Sequence, residues 1–166
     1  MIIYNTLTKQ KEEFLPNDHK KVKMFVCGPT VYDYIHMGNA RTYTIFDMVA
    51  KYLRYRGYEV EYIQNITDID DKIIKRALEL DRDPIDYAKD YADTFLEDTK
   101  KLGINSISHY EPATKNIDNV VRQVQTLIDK GNAYKIGGDG WYFDLTTFPE
   151  YGKLSGRTVQ MAEDGI

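Results

Sequence analysis

One cysteine, Cys27, occurs in 166 residues, so no internal disulfide can form and a reducing cytoplasm is the expected setting. Long apolar runs are missing as well. None approaches the roughly 20 residues that span a bilayer, so no membrane association is expected. No basic amino-terminal stretch leads into an apolar core, which argues against a secretory leader. Positive charge is not in excess: 22 Lys and Arg face 26 Asp and Glu, for a net charge of −4. That balance argues against a broad basic surface for nucleic acid and leaves only a local patch open. No internal repeat or low-complexity stretch appears. With 42% hydrophobic and 29% charged residues, the chain reads as one globular domain with at most an appendage. The 14 tyrosines sit mostly in helix or strand patterns. They read as side chains straddling core and solvent rather than as a base-stacking platform.

The periodicity then orders the chain. Met1 to Leu7 reads as a short strand and Lys21 to Val26 as a second. From Asn39 to Arg56, Phe46, Val49, Ala50 and Leu53 recur at helical spacing, and Gly57 suits the position just past the helix. Tyr58 to Ile63 alternates Val60 and Tyr62 against Glu59 and Glu61, which predicts a strand. Strand, loop, helix and strand make a βαβ unit, whose crossover is right-handed. Thr67 or Asp68 is the expected cap of a helix through Lys72, Ile73, Ile74 and Ala77. Asp70 and Asp71 read as its acidic first turn rather than as a metal site. Asp83-Pro84 starts another helix, with Ala88, Ala92, Phe95, Leu96 and Leu102 on one face and Gly103 at its end. A further helix is predicted from about Asn116 to Lys130, ended by Gly131. A hairpin follows, from Ala133 to Ile136 and from Trp141 to Leu145, around Gly137-Gly138-Asp139-Gly140. Arg41, Lys51, Arg54 and Arg56 read as a solvated face of the first helix. Met161 to Ile166 carries no stop or cap signal.

The richest segment is Cys27-Gly28-Pro29-Thr30-Val31-Tyr32-Asp33-Tyr34-Ile35-His36-Met37-Gly38-Asn39. It joins a strand to a helix, and open α/β sheets bind ligands at the carboxyl ends of their strands. Glycine lets a ligand approach the backbone closely. The following helix offers unpaired N–H groups to a phosphate. His36 and Asn39 can donate to charge developing on phosphate oxygens. A lone cysteine at a strand end is by itself most often a small buried apolar residue.

His36-Met37-Gly38-Asn39 resembles the "HIGH" signature of class I aminoacyl-tRNA synthetases, with Asn39 in place of the last histidine. Cys-Gly-Pro-Thr-Val-Tyr-Asp around it resembles the cysteinyl branch of that class. So do Asn5-Thr6-Leu7-Thr8-Lys9-Gln10-Lys11-Glu12, Asn65-Ile66-Thr67-Asp68-Ile69-Asp70-Asp71-Lys72-Ile73, Glu111-Pro112-x-Thr114 and Tyr151-Gly152-x-Leu154-Ser155. The resemblance covers essentially the whole chain. It implies an α/β fold, the first part of a Rossmann-type parallel sheet. Residues 1–106 are then the amino-terminal half of a nucleotide-binding catalytic domain, and 107–166 begin a helix–hairpin connective insertion. The family's second ATP motif, a Lys-Met-Ser-Lys-Ser-like loop, is expected beyond residue 166.

The resemblance also implies an activity and its residues. The reaction is attack of the cysteine carboxylate on the α-phosphate of ATP, which travels with Mg2+, followed by transfer to tRNA(Cys). His36 and Asn39 are the implied catalytic residues, and Thr30, His36, Gly38 and Asn39 the ATP contacts. Cys27, Gly28, Thr30, Thr42, Asn65, Ile66 and Thr67 are the implied substrate contacts, although Thr67 also reads as a helix cap. Cys27 matches a zinc ligand whose metal takes the substrate thiolate. The remaining ligands are expected beyond this chain, since His19 and His109 do not fall at matching positions. Three other readings stay open. They are a truncated nucleotide-binding paralogue without catalysis, a cysteine:amino-sugar ligase relative, and one half of a split enzyme that pairs with a separate second half.

Overall fold

Two parallel strands and the helix between them set the frame of the computed structural model, which describes residues 1–16, 18 and 20–156. Strand β3 (Lys21–Val26) leads into helix α1 (Met37–Tyr55), which returns to strand β4 (Glu59–Ile66). The two strands pair in parallel from Lys21↔Glu59 to Val26↔Gln64. Alternation decides which face is covered. Val22 and Val26 of β3 and Val60, Tyr62, Gln64 and Ile66 of β4 are buried, while Lys21, Lys23, Phe25, Glu59 and Glu61 are exposed. Helices α2 (Asp71–Glu79) and α3 (Pro84–Lys101) follow. Strand β5 (His109–Pro112) then pairs in parallel with β4 from Ile63↔His109 to Ile66↔Pro112. The sheet order is β3-β4-β5, so β3 and β5 are its edges. The core gathers Val31, Tyr43, Ile66, Ile73, Ala77, Tyr87, Ala88, Phe95 and Ile104.

The remaining elements are a hairpin of β1 (Ile2–Asn5) and β2 (Gln10–Glu13), helix α4 (Ile117–Asp129), and a hairpin of β6 (Ala133–Ile136) and β7 (Gly140–Phe143). The chain forms two compact units. One is Pro16–Ile117, and the other joins Met1–Leu15 to the residues from Asp118 onward. Among the described residues no helix is long and apolar enough to cross a membrane.

Several expectations need correction. Helix α1 buries Tyr43, Asp47, Ala50 and Leu53, while Phe46 is exposed. The buried face is turned because Asp47 points inward to bind backbone N–H groups. Neither Thr67 nor Asp68 caps α2. Asp70 does so, accepting from the Lys72 N–H at 2.9 Å. Leu102 is exposed beyond the buried face of α3, which is Tyr87, Ala88, Phe95 and Thr99. Lys51 and Arg54 are not free surface charges. Lys51 pairs with Asp47 at 2.7 Å and donates to the Gly103 carbonyl. Arg54 donates to the carbonyls of Val60 (3.1 Å) and Ser106 (2.7 Å), pinning the end of α1 to the sheet. Strands β2 and β5 were not expected. The Met161–Ile166 and His19 expectations lie outside the described residues.

Candidate functional site

The loop after β3 lies directly against the end of β4, and glycine makes that possible. A Cβ on Gly28 would land inside the contact radius of the Asn65 carbonyl oxygen. Without one, the Gly28 N–H reaches the Asn65 side-chain oxygen at 2.8 Å. The Asn65 amide in turn donates to Thr67 Oγ1 at 3.2 Å. One step further on, Thr67 N–H donates to the Pro29 carbonyl (2.9 Å) and Val31 N–H to the Thr67 carbonyl (3.1 Å). Thr30 and Thr67 thus form a parallel bridge that extends the sheet past both strands. Of the expected site residues, Cys27, Gly28, Thr30, Asn65, Ile66 and Thr67 are therefore brought together at adjacent carboxyl ends. Ile66 itself is buried in the core.

His36 is the N-cap of α1. Its Nδ1 accepts from the Gly38 N–H at 3.0 Å. In the neutral ring the proton then resides on Nε2, which is left as a donor. Gly38 is small for a reason: a Cβ there would stand 2.9 Å from Nδ1. Gly28, Pro29, Thr30, Tyr32, Asp33, Tyr34, Ile35, His36 and Asn39 line a polar pocket of about 260 Å3. Asn39 is half-buried, and its amide donates to the Tyr43 hydroxyl at 3.5 Å, too long to hold it firmly. Burial pushes the Tyr43 hydroxyl up, the Asn39 contact draws it only part of the way back, and the thiol of Cys27 adds a smaller push upward. Thr42 is not in this pocket. It faces solvent and donates to the Gly38 carbonyl of its own helix at 3.0 Å.

Cys27 is exposed rather than a buried apolar residue. It follows β3 directly, one residue after the buried Val26, and continued alternation turns it outward. Its thiol is accessible and suits zinc by chemistry, but zinc takes about four donors. Among the described residues no three His, Cys, Asp or Glu side chains come together around it. These residues alone do not make a zinc site.

Residues 13–165 match the family described as the tRNA synthetases class I (C) catalytic domain. The chain belongs to that family. It is 50% identical over 163 residues to the cysteine–tRNA ligase of Pyrococcus furiosus, covering 98% of this chain and 34% of that protein. It is 49% identical over 165 residues to the cysteine–tRNA ligase of Clostridioides difficile, covering 99% of this chain and 35% of that one. The chain therefore spans about a third of the length of these relatives. In fold it is similar to Mycobacterium tuberculosis methionyl-tRNA synthetase in complex with methionyl-adenylate. The TM-score is 0.65, with 18% identity over 69% of this chain and 23% of that one. It is also similar to Agrobacterium radiobacter LeuRS in a ternary complex with tRNA and LeuAMS. There the TM-score is 0.62, with 21% identity over 72% of this chain and 16% of that one. The parallel sheet and its βαβ crossover are the Rossmann-type architecture of this synthetase family.

Two supports of the synthetase loops were missed by sequence reasoning. Asp68 accepts from both the backbone N–H and the hydroxyl of Thr114, tying the loop after β4 to the end of β5. The signal was present, because Asp68 and Thr114 both fall in the quoted motifs. Asp47, only 4% exposed, accepts from the N–H groups of Asn105 (3.0 Å) and Ser106 (2.8 Å). Burial raises its carboxyl, but the bonds from Lys51, Ser106 and Asn105 outweigh that and hold it below the ordinary carboxylate range. An aspartate on an apolar helix face was the only sequence signal for it.

Proposed function

We propose that this chain serves as the amino-terminal part of a cytoplasmic cysteine–tRNA ligase, which activates cysteine with ATP and transfers it to tRNA(Cys). Residues 1–106 supply the first half of the nucleotide-binding domain, to which β5 adds a third strand, and 107–166 begin the connective insertion. The observation that carries the reading is the bridge between the Cys27–Thr30 loop and Asn65–Thr67. It assembles two separate family motifs at the carboxyl ends of adjacent parallel strands, where such sheets bind nucleotides.

In this reading the 260 Å3 pocket receives the ATP phosphates with their Mg2+. His36 Nε2–H and the Asn39 amide donate to charge that grows on the α-phosphate as the cysteine carboxylate attacks and pyrophosphate leaves. Gly38 N–H, turned toward His36 Nδ1, keeps the ring in the donating tautomer. Positioning and electrostatic stabilisation supply the rate in such transfers. Thr30 stands on the ATP side, and Gly28, Asn65 and Thr67 form the floor for the aminoacyl part, with Ile66 beneath them. Thr42 reaches the ligand only by leaving its bond to the Gly38 carbonyl. Cys27 supplies one thiolate to a zinc ion whose other ligands come from elsewhere in the complete enzyme.

The test is cysteine-dependent ATP–pyrophosphate exchange by the complete enzyme with His36 and Asn39 both replaced by Ala. Loss of one such donor costs a factor of about a hundred to a thousand, so a drop of at least that size is expected. An unchanged rate removes both residues from catalysis. Exchange that appears only after a second polypeptide is added selects the split enzyme.

A further inference from the structure

The loop that carries His36 is held by a residue outside every motif quoted above. Between Val31, bonded to Thr67, and the cap at His36, residues 32–35 make no backbone-to-backbone hydrogen bond among the described residues. Ile35 packs against the core and Lys72 lies 5.8 Å over the Tyr32 ring; the remaining hold comes from α3. Tyr87 is 1% exposed in the first turns of that helix, and its hydroxyl donates to the Tyr32 carbonyl at 2.7 Å. One turn on, Tyr91 packs against Tyr87 with ring centroids 4.9 Å apart. Tyr91 then meets the Tyr34 ring edge-on at 5.2 Å. Arg82 lies 5.3 Å over the Tyr87 ring and fixes it from the solvent side.

We propose that Tyr87, backed by Tyr91, is a positioning residue for adenylate formation: it clamps Tyr32 and Tyr34 so that His36 meets the phosphate in register. The inference rests on the reading of the pocket as a nucleotide site. The physical reason is that a loop without internal backbone bonds fluctuates, and a misplacement of about 1 Å at a catalytic donor is costly. Tyr87 does this without touching the nucleotide, because its buried hydroxyl acts through the Tyr32 carbonyl. Its ring belongs to the core and also seats Tyr91 against Tyr34.

Tyr87→Phe keeps the ring and removes the bonds of the hydroxyl, to the Tyr32 carbonyl and to the side chains of Tyr91 and Arg76. A single such hydrogen bond corresponds to about a two- to tenfold effect. In the complete enzyme, kcat for cysteine-dependent pyrophosphate exchange is expected to fall by that factor, with KM for ATP changed less than twofold. Amide hydrogen exchange of residues 33–36 is expected to quicken, while the α3 amides keep their protection. Tyr34→Ser, on an exposed loop side chain, breaks the second contact without entering the core and is expected to shift loop exchange the same way. Unchanged loop exchange in both variants overturns the clamp. So does a Tyr87→Phe protein in which α3 loosens as much as the loop. If the wild-type enzyme shows no pyrophosphate exchange at all, the ligase reading falls, and the hydrogen-exchange measurement still judges the clamp.

Discussion

Two buried polar side chains on facing elements show how differently single residues contribute. Asp47 is fully partnered, so replacing it with Asn removes the Lys51 ion pair and weakens two backbone bonds. The expected loss is about 1–3 kcal/mol by urea denaturation. Its carboxyl is held below the ordinary range, so this stabilisation is present above the unfolded-state value of about 4. It is lost as pH falls through the lower, folded value. The Asp47→Asn protein should therefore show a flatter acid limb than wild type. The Tyr62 hydroxyl is also fully buried but finds no partner among the described residues. Burial, then Tyr110, Asp47 and Tyr43, push it up to about 12. The neutral form is the stable one, so its contribution holds below the unfolded-state value of about 10 and is lost as pH rises through about 12. Tyr62→Phe removes an unpaired polar atom and keeps the ring. Its urea midpoint is expected at or above that of wild type.

At the scale of elements, α2 offers the cleanest test, because it is 9 residues long and its cap is a single side chain. Asp70→Ala should cost about 1 kcal/mol, read as faster amide exchange at Lys72 to Ile74 with α3 unaffected. Equal exchange in the two proteins would mean that packing of Ile73 and Ala77 alone holds the helix. The same scale shows what was legible in the sequence. β3, α1, β4, α3 and α4 were readable because each carries a strong apolar period. β5 was not: His-Tyr-Glu-Pro is four residues long and ends in proline, and its strand character comes from pairing with Ile63 to Ile66, 46 residues earlier. β2, Gln-Lys-Glu-Glu, is polar throughout and is defined by its turn back onto β1. Thr67, Asp68 and Asp70 compete for the cap in the sequence because threonine and aspartate both cap helices. Only the structure shows Thr67 engaged with Pro29 and Asp68 with Thr114. The Cys27–Asn39 loop was legible as a motif. Its supports were not, because Tyr87 acts on a backbone carbonyl, which no side-chain pattern reveals.

At the scale of the whole molecule, the described residues present three parallel strands, one exposed thiol and the loop that carries His36. A doubly wound sheet binds its ligand at a crevice between two halves. The chain by itself is therefore expected to give no cysteine-dependent pyrophosphate exchange and to bind zinc no better than a lone thiol does. Robust exchange by the purified chain would show instead that three strands suffice. The edge strand β3 has a consequence for behaviour in the test tube. It presents a row of backbone donors and acceptors, with the side chain of Phe25 63% exposed beside them. Lys21 and Lys23 stand on the same strand, and edge lysines keep like strands from pairing by mutual repulsion. That protection is ionic, and its reach shrinks to about 3 Å in 1 M salt. Glu59 and Glu61 lie beside these lysines on β4 and already soften the repulsion, so in sedimentation velocity the chain is expected to shift toward faster-sedimenting species as salt rises from about 0.1 M to 1 M.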